Sequence, residues 1–176
     1  MATAREFQKC ALVVGVLSTI EDKREEIIIN LENEFGPIET TSPVLDFPYT
    51  DYYDSEMGQR PVRYLLLFEN LVDPSELADI KTKTNEIEKT FADENGNRRV
   101  NLDPGTLSLA NFILATCKDR SHRIPIKDGI YGETTLIYQD RDFQALPWTY
   151  ADYRSDDVRT ILRNFRDIYR KKIKEN

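Results

Sequence analysis

The chain has 176 residues, 40% of them apolar and 10% aromatic, enough for one domain (1–176) with a substantial core. With 24 basic and 31 acidic side chains the formal charge is −7, which argues against a surface built to hold nucleic acid. Cys10 and Cys117 are the only cysteines and form no Cys-x-x-Cys pair, so a disulfide framework or zinc knuckle is excluded and a reducing cytoplasm fits best. The apolar run near the N-terminus, Cys10 to Leu17, is too short to span a bilayer, and its flanks lack the layout of a secretory signal.

That run is apolar on both alternating faces, as a central strand covered on two sides requires. Ser18 and Glu21 have the spacing of a capping box, and Ile20, Ile27, Ile28, Leu31 and Phe35 recur with helical period until Gly36-Pro37, so a helix is expected from Ile20 to Phe35. Ile38 to Phe47 reads as an edge strand carrying Pro43, and Pro61 to Phe68 as a third strand with Val62, Tyr64, Leu66 and Phe68 on one side. Between them, Phe47 to Gly58 crowds three tyrosines, three carboxylates and two hydroxyls, which suggests a packed loop or a recognition surface. Asp73-Pro74-Ser75-Glu76 is the best helix start in the chain, with Leu77, Ile80, Thr84, Ile87 and Phe91 as its inward stripe and Asn95-Gly96 as its end. Arg98 to Asp103 is a short strand with Arg99, Asn101 and Asp103 on one side.

This succession predicts an α+β fold with a ferredoxin-like βαββαβ core over about residues 9–105 and an antiparallel sheet. C-terminal strands and a final helix, about 106–176, extend it. Leu107 to Cys117 fits a short helix, with a buried strand as the competing reading. His122 to Ile126, Tyr131 to Gln139 and Phe143 to Leu146 read as strands joined at Asp128-Gly129 and Asp140-Arg141, and a helix begins near Asp156. Charge is uneven: from Arg154 onward the chain carries +4, leaving −11 for the rest. At 100° per residue Arg159, Arg163, Arg166 and Arg170 share an arc of about 60°. This stripe serves either docking on the protein's own acidic body or an anionic partner.

Two segments echo each other. Phe47-Pro48-Tyr49-Thr50-Asp51-Tyr52 and Leu146-Pro147-Trp148-Thr149-Tyr150-Ala151-Asp152-Tyr153 share an order of apolar residue, proline, aromatic, threonine and an Asp-Tyr pair. They are either a common turn or two arms of one pocket. Thr50 to Gly58, Leu77 to Lys81 with Thr84-Asn85, Arg98 to Gly105, Ala115 to Asp119 with His122-Arg123, Gly129 to Tyr131 and Pro147 to Tyr150 together resemble the uncharacterised prokaryotic family filed as domain of unknown function 4416. Some relatives in that family carry an automatic label of GTP-binding protein. The chain has neither a Gly-x-x-x-x-Gly-Lys-Ser/Thr loop to cradle phosphates nor an Asn-Lys-x-Asp loop to read guanine, so no GTPase activity is inferred.

The candidate site is assembled from residue chemistry. Tyr52, Tyr53 and Trp148 offer stacking surfaces, and Arg99, Lys118, His122 and Arg123 offer positive charge. Asn101, Asp103 and Glu133 supply polar strand positions, with Arg99 or Arg123 as the partner a buried Glu133 would need. The expected partner is a small anionic ligand, such as a nucleotide or phosphorylated metabolite. The alternatives are a metal-assisted hydrolase or phosphoryl-transfer enzyme, with Asp103 and Glu133 holding the cation and Glu56 as base, and a noncatalytic interaction module. No motif names a cofactor, a resident metal, a membrane anchor or an oligomeric state.

Overall fold

The computed structural model describes residues 3–49, 57 and 60–175. Among them the fold is mixed α+β, with a nine-stranded, wholly antiparallel open sheet and three α-helices. The strands are β1 (Cys10–Ser18), β2 (Ile38–Thr41), β3 (Leu45–Asp46), β4 (Val62–Val72), β5 (Val100–Leu107), β6 (Asn111–Thr116), β7 (Ile124–Lys127), β8 (Ile130–Gln139) and β9 (Asp142–Ala145). The helices are α1 (Arg24–Phe35), α2 (Leu77–Thr90) and α3 (Asp156–Glu175). The sheet runs β2-β4-β1-β5-β6-β8-β7, with β3 paired to β4 and β9 to β8.

Side-chain alternation along the central strand decides the layers. Leu12, Val14 and Val16 face α1 and α2, meeting Ile27, Leu31 and Ile80. Ala11 and Val13 face the other way and, with Leu65 and Leu67, are covered by Val158, Ile161, Leu162 and Phe165 of α3. The all-apolar sequence of β1 is therefore explained by helices on both faces.

Several expectations need correction. The first helix begins with a 3₁₀ turn over Glu21–Lys23, and Ser18 ends β1, its hydroxyl accepting from the Ile20 amide instead of capping the helix. The expected edge strand is split into β2 and β3, because Pro43 between them has no amide to donate to β4. The third strand runs four residues beyond Phe68, to Val72. The fourth does not stop at Asp103: Pro104 and Gly105 lie inside β5. Leu107 to Cys117 is not a helix, since Asn111–Thr116 pairs with both β5 and β8. Other local signals agree with the structure. Asp73 and Glu76 form a capping box, here on a 3₁₀ turn leading into α2. Asp128-Gly129 and Asp140-Arg141 all have positive φ, as two-residue hairpin turns demand.

Gly105 lets β5 and β6 pack at the point where they part. A Cβ there would lie 2.7 Å from two carbons of the Phe112 ring and 2.8 Å from the Ile113 carbonyl oxygen, which belongs to the backbone and cannot swing aside. Gly105→Ala is expected to cost about 1–3 kcal/mol by overpacking, read as a lower urea midpoint with an unchanged m-value. An unchanged midpoint would mean that this junction yields freely.

Candidate functional site

Pairing between β5 and β6 covers only Gly105 to Leu107 against Leu114 to Phe112. Beyond Gly105 the two strands diverge, and the outer edge of β5 is completed by side chains from α2. Glu88 Oε1 accepts from the Leu102 amide at 2.6 Å, and Lys81 Nζ donates to the Leu102 carbonyl at 2.8 Å. Pro104, two residues along, faces the same way by strand alternation and has no amide hydrogen to leave unmet. The gap is a cleft of about 510 Å³, with Asn101 and Asp103 on one wall and Leu114 to Cys117 on the other.

The floor is an ionic network on the α3 side of the sheet. Arg63 donates through one amino group to Asp103 at 2.8 Å and pairs through the other with Asp152 at 2.9 Å, the Arg63 and Asp152 side chains each being 5% exposed. Asp103 also accepts from Asn101 Nδ2 at 2.9 Å. Gly15 on β1 makes the space, since a Cβ there would overlap the Tyr153 hydroxyl and stand 3.1 Å from the Arg63 guanidinium. Phe112 lies against Tyr153 with ring centres 5.8 Å apart. Burial opposes the charge on Asp103, but Arg63 and then Lys81 hold its carboxyl below the usual range. Burial pushes Asp152 up despite Arg63, and Asp103 adds to that rise. Burial likewise raises Glu88, against the pull of Lys81.

The far wall carries a second buried pair. Glu133, 1% exposed, accepts from Arg123 Nε at 2.7 Å, and the same oxygen lies 2.9 Å from His122 Nε2. An oxygen already accepting from a guanidinium requires His122 to present Nε2–H. Arg123 is fixed by further bonds to the Lys118 carbonyl at 2.7 Å and the Tyr150 hydroxyl at 3.0 Å. Burial disfavours its charge, but Glu133 and the Tyr150 hydroxyl together outweigh that and raise its pKa.

Of the residues singled out from sequence, Asn101, Asp103, Lys118, Arg123 and Glu133 line the cleft together. Arg123 is the partner of Glu133; Arg99 is not, its guanidinium donating to the Met57 carbonyl at 3.0 Å. Arg98, the next residue back, takes the place on the cleft wall that alternation had given to Arg99, because β5 starts only at Val100. His122 and Trp148 stack at 4.9 Å and 12° behind Glu133 and do not line the cleft. Tyr52, Tyr53 and Glu56 lie outside the described residues. The two carboxylates offered to a cation, Asp103 and Glu133, are each engaged by a guanidinium.

Sequence reading missed Arg63, Lys81, Glu88 and Asp152 as cleft residues. Arg63 was visible as the lone charge in the apolar run Val62 to Phe68, and Asp152 as the Asp of the second echo segment. Lys81 and Glu88, seven residues apart on α2, share one helix face. The echo segments do meet in part, since Phe47 and Tyr49 line the cleft with Tyr150, Asp152 and Tyr153.

Three of the four stripe arginines lie against the protein's own sheet. Arg159 and Arg163 reach Asp142 at 2.9 and 3.2 Å, and Arg166 donates to the Leu109 carbonyl at 2.8 Å while covering the Tyr138 ring at 3.5 Å. Arg170 pairs with Asp167 at 3.3 Å.

Removing Arg63 leaves two acids facing each other without their shared cation. Arg63→Met is expected to lose about 3–5 kcal/mol of unfolding free energy, the usual cost of breaking a buried ionic group from one side. The loss should shrink on acidification. Asp103, with its lowered pKa, stabilises the fold above its unfolded value and forfeits that contribution as pH falls through the folded one. Urea melts of wild type and variant across pH check both statements.

No helix among the described residues is long and apolar enough to cross a membrane. No curated protein and no solved structure matches the chain. Residues 8–169, nearly its whole length, match the model of the domain of unknown function DUF4416, and the chain belongs to that family.

Proposed function

We propose that the cleft between β5 and β6 binds a small anionic ligand, a phosphorylated metabolite or nucleotide. The observation that carries this reading is a reversal of charge. The chain as a whole is at −7, yet the described side chains lining the cleft include six cations and four acids. Such an excess of positive charge between low-dielectric walls draws and holds anions. The volume falls in the range of about 300–1,000 Å³ usual for small-molecule sites, and Tyr49, Tyr150 and Tyr153 give it aromatic surface for a planar group.

The order β2-β4-β1-β5, with α1 and α2 on one face, supports reading the first half as a ferredoxin-like core with the cleft at the outer edge of its last strand. Free thiols at Cys10 and Cys117, the latter on the cleft wall, suit a reducing cytoplasm.

Lys118 and Arg120 are exposed at the cleft and can be altered without touching the buried pairs. In a thermal-shift screen of nucleotides and phosphorylated metabolites, a true ligand at a hundred times its Kd adds about 2.7 kcal/mol, a rise of roughly 5–10 °C for a chain of this size. Lys118→Ala combined with Arg120→Ala is expected to keep the unliganded melting temperature and lose most of that rise. An absence of any anion-dependent shift in wild type removes the proposal.

A further inference from the structure

The cleft floor sets two carboxylates against one guanidinium. Arg63 comes from β4, Asp103 from β5 and Asp152 from the turn before α3, so three separate segments hold the group together. One positive charge facing two negative ones leaves a net charge in a nearly dry place, and keeping a proton on one acid is the less costly state.

The surroundings say which acid keeps it. The Asp103 side chain is 25% exposed and has the Asn101 amide as a second donor, both of which favour a carboxylate. Asp152 is nearly closed off and its Oδ2 meets Arg63 as an ion pair with no well-directed hydrogen bond; the Tyr153 and Asp152 amides donate to its carboxylate, but burial outweighs them. Behind it, Asp46 and Asp157 line a second cavity of about 400 Å³ that shares Arg63 and Asp152 with the cleft. The like charge that presses on Asp152 is Asp103, across the shared guanidinium. The other acids of the cleft have their own cations, Glu88 with Lys81 at 3.8 Å and Glu133 with Arg123. The raised pKa of Asp152 beside the lowered one of Asp103 agrees with this division.

Resting on the anion-binding reading above, we infer that Asp152 keeps its proton to higher pH than Asp103 and that anion binding in the cleft is coupled to that proton. A neutral Asp152 leaves Arg63 to balance Asp103 alone, and the cleft keeps its positive excess. An ionised Asp152 adds a negative charge on the floor where the ligand sits. Binding is then strongest on the acid side and falls as pH rises through the Asp152 pKa. By reciprocity a bound anion raises that pKa and draws in up to one proton.

Inorganic sulfate is the probe, because its charge is constant where Asp152 titrates. Calorimetry across pH, in buffers of different ionisation heat, is expected to show a Kd that weakens with pH by up to about tenfold per unit, with proton uptake on binding. Asp152→Asn should give a flat profile at the tight, low-pH affinity. Asp103→Asn should move the transition to lower pH, since Arg63 is then left to Asp152. Binding of sulfate with no pH dependence and no proton uptake overturns the coupling while leaving the anion site standing, and so does a pH dependence that survives in Asp152→Asn. Should sulfate bind at no pH, the anion site itself falls, and a carboxyl-carbon NMR titration showing Asp152 ionising before Asp103 overturns the acid assignment as well.

Discussion

Pro104 has no amide hydrogen, and it sits on β5 just where pairing with β6 ends. An unpaired backbone edge inside a protein is costly unless something else meets its polar groups. Here Lys81 and Glu88 of α2 meet the Leu102 carbonyl and amide, standing in for the missing strand. The sheet can therefore open with the Leu102 amide and carbonyl still met, and the opening is the cleft. A β6 that stayed in register along β5 would leave no space there, and the charged side chains of both walls would have no common volume to face.

Those walls are built from ion pairs that contribute little net stability and are expensive to break. Arg63 with Asp103 and Asp152, and Arg123 with Glu133 and Tyr150, act mainly by fixing direction. Each guanidinium has more than one partner from distant parts of the chain, so its position is set by the fold and not by its own rotamers. Gly15 and Gly105 contribute through absence of a side chain, one beneath the Tyr153 hydroxyl and one beneath the Phe112 ring. Their effect is to let polar and aromatic groups lie close to the sheet on a face that elsewhere is filled by α3.

The same helix shows how a charge pattern can mislead. Arg159, Arg163, Arg166 and Arg170 look like a track for an anionic partner, yet the first three lie against Asp142, the Leu109 carbonyl and the Tyr138 ring. Their spacing gives the stripe; only the position of the β8–β9 hairpin beside it says what the stripe meets. Glu133 is the opposite case. Its place on an alternating strand implied burial and a basic partner, and of the two arginines considered Arg123 fills that role. Arg99 failed because the strand begins at Val100, two residues later than expected, and strand alternation does not govern the residues before it.

Local physics acts over a few residues, and within that range the sequence by itself determined the apolar central strand, the Asp73 capping box, the two positive-φ hairpin turns and the amphipathic α3, each written in neighbouring residues. It also set the total charge. Tertiary structure alone decided that Leu107 to Cys117 continues the sheet, that β5 and β6 part at Gly105, and that Arg63, Asp103 and Asp152 share one floor. Asp103 and Asp152 stand 49 positions apart in the chain. No periodicity spans such a distance, so only the packing of α3 and its preceding turn onto the sheet brings them to one guanidinium.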